Sequence, residues 1–170
     1  MPDTTNALIT RARTAIGKVR YGLGCGGLHG DDPLPARPIL HTPRHAPAPV
    51  LANWCDCSGF VAWVLGRSRK PAKDFPLWLC TDSVANDAKG KQRLFERIDA
   101  PVPGCIAVYG DWKDGKGQPH QGHIALVVDP AKHVVIDCSS DLDGVAEHVQ
   151  EVFWNGKHNV IWCVAVALGC

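Results

Sequence analysis

The hydrophobic period of this 170-residue chain changes once, and that change constrains its fold more than any other feature. Before it, apolar positions recur at helical spacing. Leu8, Ala12, Ala15, Ile16 and Val19 do so behind the capping candidates Asp3, Thr4 and Thr5, which predicts a helix over about 5–17 with Gly17 near its end. In "SGFVAWVL", Phe60, Val61, Val64 and Leu65 share a face, which predicts a buried helix over about 57–65 stopped by Gly66. "TDSVANDAKG" predicts a third, short helix, capped by Thr81 or Asp82 and closed by Gly90. After it, "CIAVYG" (105–110), "HIALVVD" (123–129), "HVVIDC" (133–138) and "NVIWCVAVAL" (159–168) are rich in β-branched residues and bounded by turn signals. The segment 145–153 suits strand or helix. Helices first and an antiparallel sheet second is an α+β pattern, with N-terminal helices packed on the sheet.

A chain of this length buries a core as one domain spanning 1–170. Two stretches interrupt the periodic pattern. "YGLGCGGLHG", from Tyr21, is too glycine-rich for helix or central strand. Residues 31–50 then carry six prolines, the signature of a long, stiffened surface loop. The net charge of +1 provides no basic or acidic field, so neither nucleic acid nor a membrane surface is an expected partner. No apolar run reaches the roughly 18 residues of a membrane helix, and the N-terminal segment lacks the pattern of a secretory signal. Synthesis in the cytoplasm is expected, with any export by a specialised route.

Eight cysteines occur without a CxxC pair, so neither a metal site nor a cofactor is expected. Cys55 and Cys57 are the pair closest in sequence. A nucleophilic cysteine must be a thiolate near neutral pH, a form favoured at a helix N-terminus and beside an imidazolium. Cys57 opens the predicted second helix, whereas Cys55 precedes it. Cys57 is therefore the candidate nucleophile, its alternative role being a buried helix-start residue. Cys55 is a bystander, or a thiol able to cap Cys57 on oxidation.

A nucleophilic cysteine needs a base. Of eight histidines, His123 opens a strongly apolar strand directly after Gly122, and His120 in the preceding turn is its competitor. An imidazole in turn needs an orienting acceptor. "HIALVVDPAKHVVIDC" reads as two strands joined by a turn at "DPAK". Asp137 follows His123 by fourteen residues, so an odd-length turn sets the two side by side on one face, whereas an even one would bring Cys138 there. Asp137 holds an imidazole tautomer better than a cysteine does.

"DCSGFVAWV" resembles the active-site helix of the NlpC-type cell-wall cysteine peptidases, which are papain-like and related to the CHAP amidases. "AIGKVRYGLGCGG", "PVPGCIAVYG", "GHIALVVD" and "HVVIDCSS" are similar to further pieces of that family, in the right order, over about residues 7–140. The resemblance implies a papain-like fold with Cys57 as nucleophile, His123 as general base and Asp137 at the orienting position, often histidine in the family. It implies that Tyr21 lines the cleft, with its hydroxyl a further oxyanion donor, and that Ser58 contacts the free amine of the substrate.

The implied activity is hydrolysis of amide bonds in peptidoglycan stem peptides, at the bond between D-glutamate and the diamino acid. The same chemistry also serves papain-like deamidases, transglutaminases and acyltransferases acting on proteins or lipids. The missing leader suits an antibacterial effector or a lysin, whose partners would include an immunity protein or secretion machinery. The proline-rich 31–50 segment departs from the family pattern, and two readings stay open for it: a wall or lid of the cleft with His41, Arg44 and His45 as contacts, or a solvated insertion. Trp54 is the tryptophan expected nearest the cleft.

Overall fold

The computed structural model describes residues 5–35, 53–71 and 78–166. The expected contacts of His41, Arg44 and His45, and most of the proline-rich segment, lie outside these residues. Three helices occur in the described part, at Thr5–Thr14 (α1), Cys57–Val64 (α2) and Thr81–Lys89 (α3). The strands are Arg20–Tyr21 (β1), Trp54–Cys55 (β2), Phe95–Ile98 (β3), Ile106–Tyr109 (β4), Trp112–Lys113 (β5), Pro119–His120 (β6), His123–Asp129 (β7), Val134–Ser139 (β8), Gly144–Val149 (β9) and Ile161–Ala165 (β10). Six strands form one antiparallel sheet in the order β3-β10-β4-β7-β8-β9. The α+β class read from the hydrophobic period is the observed one, with the short β1 and β2 set between α1 and α2.

The helix ends follow local chemistry. α1 stops at Thr14, three residues short of the expected end, and the chain turns through Gly17 at φ 70°. α2 ends at Val64, with Leu65 as C-cap, before Gly66 at φ 67°. α3 is capped by Cys80 rather than by Thr81 or Asp82: Ser83 accepts from the Cys80 backbone N–H at 2.9 Å, one half of a capping box. The ambiguous segment 145–153 divides into strand β9 and a 3-10 turn at Glu151–Phe153. β3 was not foreseen, because "FERI" is half polar and takes its place by pairing with β10.

Every residue of α2 is buried. The helix packs on β7 and β8, where Ile124, Leu126, Ile136 and Cys138 form the helix-facing side of the sheet. Burying side chains such as Phe60, Val61 and Val64 stabilises the fold by about 1.5–3 kcal/mol each. The period-two alternation turns Ala125, Val127 and Val135 to the opposite face, onto Phe153. His123 and Asp137 share the parity of that second set.

The glycine-rich stretch after Tyr21 lies against the start of α2. β1 pairs in parallel with β2, and the Asp56 N–H donates to the Cys25 carbonyl at 3.1 Å. The approach is close enough that a Cβ on Gly59 would stand 2.6 Å from the Cys25 carbonyl oxygen and 2.9 Å from that of Gly26. Gly27, at φ 66°, abuts the same point. The glycine in "CSGF" is therefore a packing requirement. Gly59→Ala is expected to destabilise the protein by about 1–3 kcal/mol through overpacking, and chemical denaturation measures it.

Candidate active site

A cleft of about 530 Å³ opens where the N-terminus of α2 meets the start of β7. Tyr21, Cys57, Ser58, Tyr109 and His123 line it, together with Asp56, Arg69, Asp82, Asp111 and Asp141. A neighbouring recess of about 360 Å³ shares Asp82, Tyr109 and Asp111 with it and adds Lys89, Lys113 and Lys157.

Cys57 is the first residue of α2, where backbone N–H groups lack intrahelical acceptors. Asp56 is the N-cap and accepts the Gly59 N–H at 2.7 Å, which leaves those of Cys57 and Ser58 at the open end. Cys57 and His123 line the cleft together, and Cys57 stands near enough to the ring to raise its affinity for a proton. The other side of that ring is fixed: Nε2 lies 2.6 Å from Oδ2 of Asp137, a fully buried carboxylate that accepts its proton. The Phe153 ring stacks on His123 at 5.7 Å and 19°. The structure thus brings the three sequence candidates together: Cys57 and His123 share the cleft, and Asp137 lies behind the His123 ring.

The register that aligns them differs in detail from the simplest hairpin. Leu126 pairs with Ile136 and Val127 with Val135, and a bulge between Val127 and Asp129 absorbs the turn. Asp137 is consequently a diagonal neighbour of His123 on the same face, rather than its direct opposite. Diagonal neighbours remain within reach of a ring as long as imidazole.

The charges at this point reinforce one another. Burial opposes the imidazolium of His123, but the hydrogen bond to Asp137, with the negative charge of Asp137 and Cys57, outweighs it and pushes the ring up to about 10. Burial alone would raise Asp137, yet bonds from His123 and from His148 hold it below the ordinary carboxylate value. Tyr109 is pushed up to about 12 by burial and by the nearby charges of Cys57, Asp137 and Asp141. Burial and the charges of Cys57 and Asp56 raise Tyr21 too. Both phenols are therefore hydrogen-bond donors at neutral pH.

Beneath the cleft lies a buried ion pair that sequence reasoning missed. Arg69 Nη1 donates to Asp56 Oδ1 at 2.9 Å, with both side chains at most 5% exposed. Arg69 also donates to the Ser58 hydroxyl at 2.8 Å and the Cys25 carbonyl at 2.9 Å, while Asp56 Oδ2 accepts the Gly24 N–H at 2.8 Å. Ser58 lines the cleft, but its hydroxyl is held between Asp56 and Arg69. The signal for Asp56 was present in "DCSG", an N-cap position; Arg69 follows the helix in a loop and carries no local signature.

His148 was missed as well, because it falls in the ambiguous 145–153 segment. Its Nε2 lies 3.0 Å from Oδ1 of Asp137. His120 instead joins the β5–β6 hairpin, stacked on Trp112 at 4.3 Å. Cys55 is fully buried, and its neighbouring thiol is Cys138, whose sulfur donates to the Cys55 carbonyl at 3.1 Å. Burial and Cys138 raise the Cys55 thiol well above its ordinary value. Trp54 is buried beneath Arg20, at 5.5 Å, and is not part of the cleft lining. Among the described residues, no helix is long and apolar enough to cross a membrane.

No protein-family model and no curated protein matches this sequence. Among solved structures, NlpC1 from Trichomonas vaginalis is similar with a TM-score of 0.51 at 18% identity, over 94% of this chain and 42% of the other. The peptidoglycan hydrolase RipB from Mycobacterium tuberculosis is similar with a TM-score of 0.52 at 16% identity, over 94% of this chain and 63% of the other. The chain spans less than two thirds of the length of either neighbour. At this identity the similarity is one of fold, and it bears out the papain-like, NlpC-type architecture expected from "DCSGF" and the segments that follow it.

Proposed function

We propose that this chain, which carries the fold of the NlpC-type structures, is a cysteine hydrolase that cleaves amide bonds in peptidoglycan stem peptides. The observation that carries this reading is the line from Cys57, at a helix N-terminus, through His123 to the buried Asp137. RipB, described as a peptidoglycan hydrolase, supports the substrate class.

His123 holds the proton of Cys57 in an imidazolium–thiolate ion pair, and Asp137 fixes that imidazolium. The thiolate attacks the amide carbonyl carbon and forms a C–S bond. The oxyanion meets the backbone N–H of Cys57 and the hydroxyl of Tyr21. The C–N bond then breaks as His123 returns its proton to the leaving nitrogen. Water attacks the thioester as His123 accepts a water proton, the C–S bond breaks, and the carboxylic acid departs, leaving the thiolate beside the imidazolium.

Because His123 protonates the leaving nitrogen, the leaving fragment extends past His123 toward Tyr109, its register partner on β4. That direction leads to the recess lined by Lys89, Lys113 and Lys157. The acyl fragment lies toward Tyr21, Asp56 and Ser58. The bond between D-glutamate and the diamino acid of a stem peptide is the cut this reading assigns, following the resemblance of the sequence to the NlpC-type peptidases. Delivery as an effector or lysin belongs to the same proposal.

Digestion of purified murein followed by mass spectrometry of the products tests the reading. Fragments ending at D-glutamate and beginning with the diamino acid are the expected result. Intact murein beside a protein substrate deamidated or acylated by the same preparation would move the chemistry to another acyl group.

The pH dependence is also set by the site. Catalysis needs His123 protonated opposite the thiolate, and His123 keeps its proton up to about 10. The alkaline limb of kcat/KM is therefore expected near pH 10, well above the ordinary histidine value of 6.5. The sign for stability is the same. A raised folded-state value stabilises fully below the unfolded-state value and is lost as pH rises through about 10. A pH–rate profile with an alkaline limb near 7 would contradict the ion pair.

A further inference from the structure

We infer that His148 is a positioning residue of this site: held as an imidazolium on the second oxygen of Asp137, it shares that carboxylate with His123 and limits how tightly His123 keeps its proton. The inference rests on the reading of Cys57, His123 and Asp137 as the reacting centre.

Asp137 has no exposed surface, and its two oxygens face two different histidines. Oδ2 lies 2.6 Å from His123 Nε2, and Oδ1 lies 3.0 Å from His148 Nε2. The remaining ring nitrogen of His148, Nδ1, lies 3.2 Å from the Val149 carbonyl oxygen. A carboxylate and a carbonyl oxygen only accept. A neutral imidazole has one N–H and satisfies one of them, whereas an imidazolium satisfies both. His148 reaches Asp137 because β9 pairs with β8 in a register of Val135 with His148 and Asp137 with Ala146, which makes the two diagonal neighbours on one face.

The charge pattern gives the arrangement its purpose. In the ion pair of the proposed mechanism, Cys57, His123, Asp137 and His148 alternate as minus, plus, minus, plus. The four sum to zero in a place largely removed from water, where an uncompensated charge costs most. Without His148 the set would carry one net negative charge, and Asp137 would act on His123 alone. Among the described residues, the charged groups that face His148 are Asp137 from β8 and His123 from β7. Its neighbour Glu147 is engaged by Arg13 of α1 at 2.8 Å, and Glu151 is engaged by His133 at 2.9 Å. The bond to Asp137 raises His148 above its ordinary value despite its partial burial, in the direction the double hydrogen bond requires.

Histidine-ring ¹⁵N NMR of the uniformly labelled wild-type chain tests this directly and needs no substrate. At pH 7 both ring nitrogens of His148 are expected in the protonated range. A neutral His148 with one bare nitrogen at that pH overturns the inference. His148→Gln keeps an N–H for Asp137 and removes the charge. In that variant the His123 midpoint is expected to rise by about one pH unit, and the alkaline limb of kcat/KM should move with it while KM is little changed. A folded variant with an unmoved His123 midpoint would overturn the inference too. Should the variant not fold, the ring state in the wild-type protein decides. A protein inactive on murein, yet with His148 cationic and His123 raised, would refute the substrate and leave the positioning role intact. A Cys57 no more reactive than a free thiol, beside a His123 that titrates normally, would refute both.

Discussion

Murein incubated with the Cys57→Ala protein is expected to stay intact, with turnover reduced about 10⁴-fold or more. No neighbouring group replaces the sulfur. The Ser58 hydroxyl is the nearest in sequence, but it is held by Arg69 and by Asp56. Cys55 is sealed beneath the glycine loop and beside Cys138. The substitution removes a small, mostly buried side chain and leaves the Asp56 cap in place, so thermal unfolding should shift little. Soluble muropeptide release, followed chromatographically at matched protein concentration, is the measurement. Residual turnover within tenfold of wild type would remove Cys57 from the centre of the mechanism.

Asp56→Ala is expected to produce the largest loss of stability, about 3–5 kcal/mol. One carboxylate there does three jobs: it caps α2, accepts the Gly24 N–H of the glycine loop, and neutralises the buried Arg69. Its removal leaves a guanidinium at 3% exposure without its counter-charge. The cap accounts for about 1 kcal/mol of the loss, and the stranded arginine for most of the rest. In a chain of this size the corresponding drop in Tm is roughly 10 °C. Asp56→Asn keeps a capping oxygen and should fall between the two. Denaturant titrations of the three proteins give the order, and a loss below about 1 kcal/mol for Asp56→Ala would show that the pair contributes little.

The loop that Asp56 anchors carries Tyr21 into the cleft. β1 ends at Tyr21, and the Gly22 N–H donates to the Cys55 carbonyl at 2.8 Å. The stability of this pair and the shape of the oxyanion region are thus one problem. A variant that loosens it should lose turnover as well as stability.

Much of this was legible in the chain itself, for identifiable reasons. The apolar face of "SGFVAWVL" and the β-branched runs after residue 105 each announce an element through a local period, and those elements formed where expected. Cys57 was legible because a helix start is a local event. His123 was legible because a polar residue opening an apolar strand is locally conspicuous. Asp137 was legible as a matter of parity, since an even separation puts two strand residues on one face whenever the turn cooperates. The turn did cooperate, through a bulge that parity does not foresee.

Arg69, His148 and the short β1–β2 pair were not legible, because each acquires meaning from a partner distant in sequence. Arg69 reads as an ordinary loop cation until the glycine loop folds over α2 and removes it from water. His148 reads as one more histidine until β9 pairs with β8. By itself, then, the sequence determined the helix that presents Cys57, the strand that presents His123 and the family of folds able to hold them, because periodicity, caps and turns act over a few residues. Only the tertiary structure decided that Asp137 is shared by two histidines and that Asp56 is bound to Arg69. Both outcomes depend on register and burial, which arise when distant segments exclude water together.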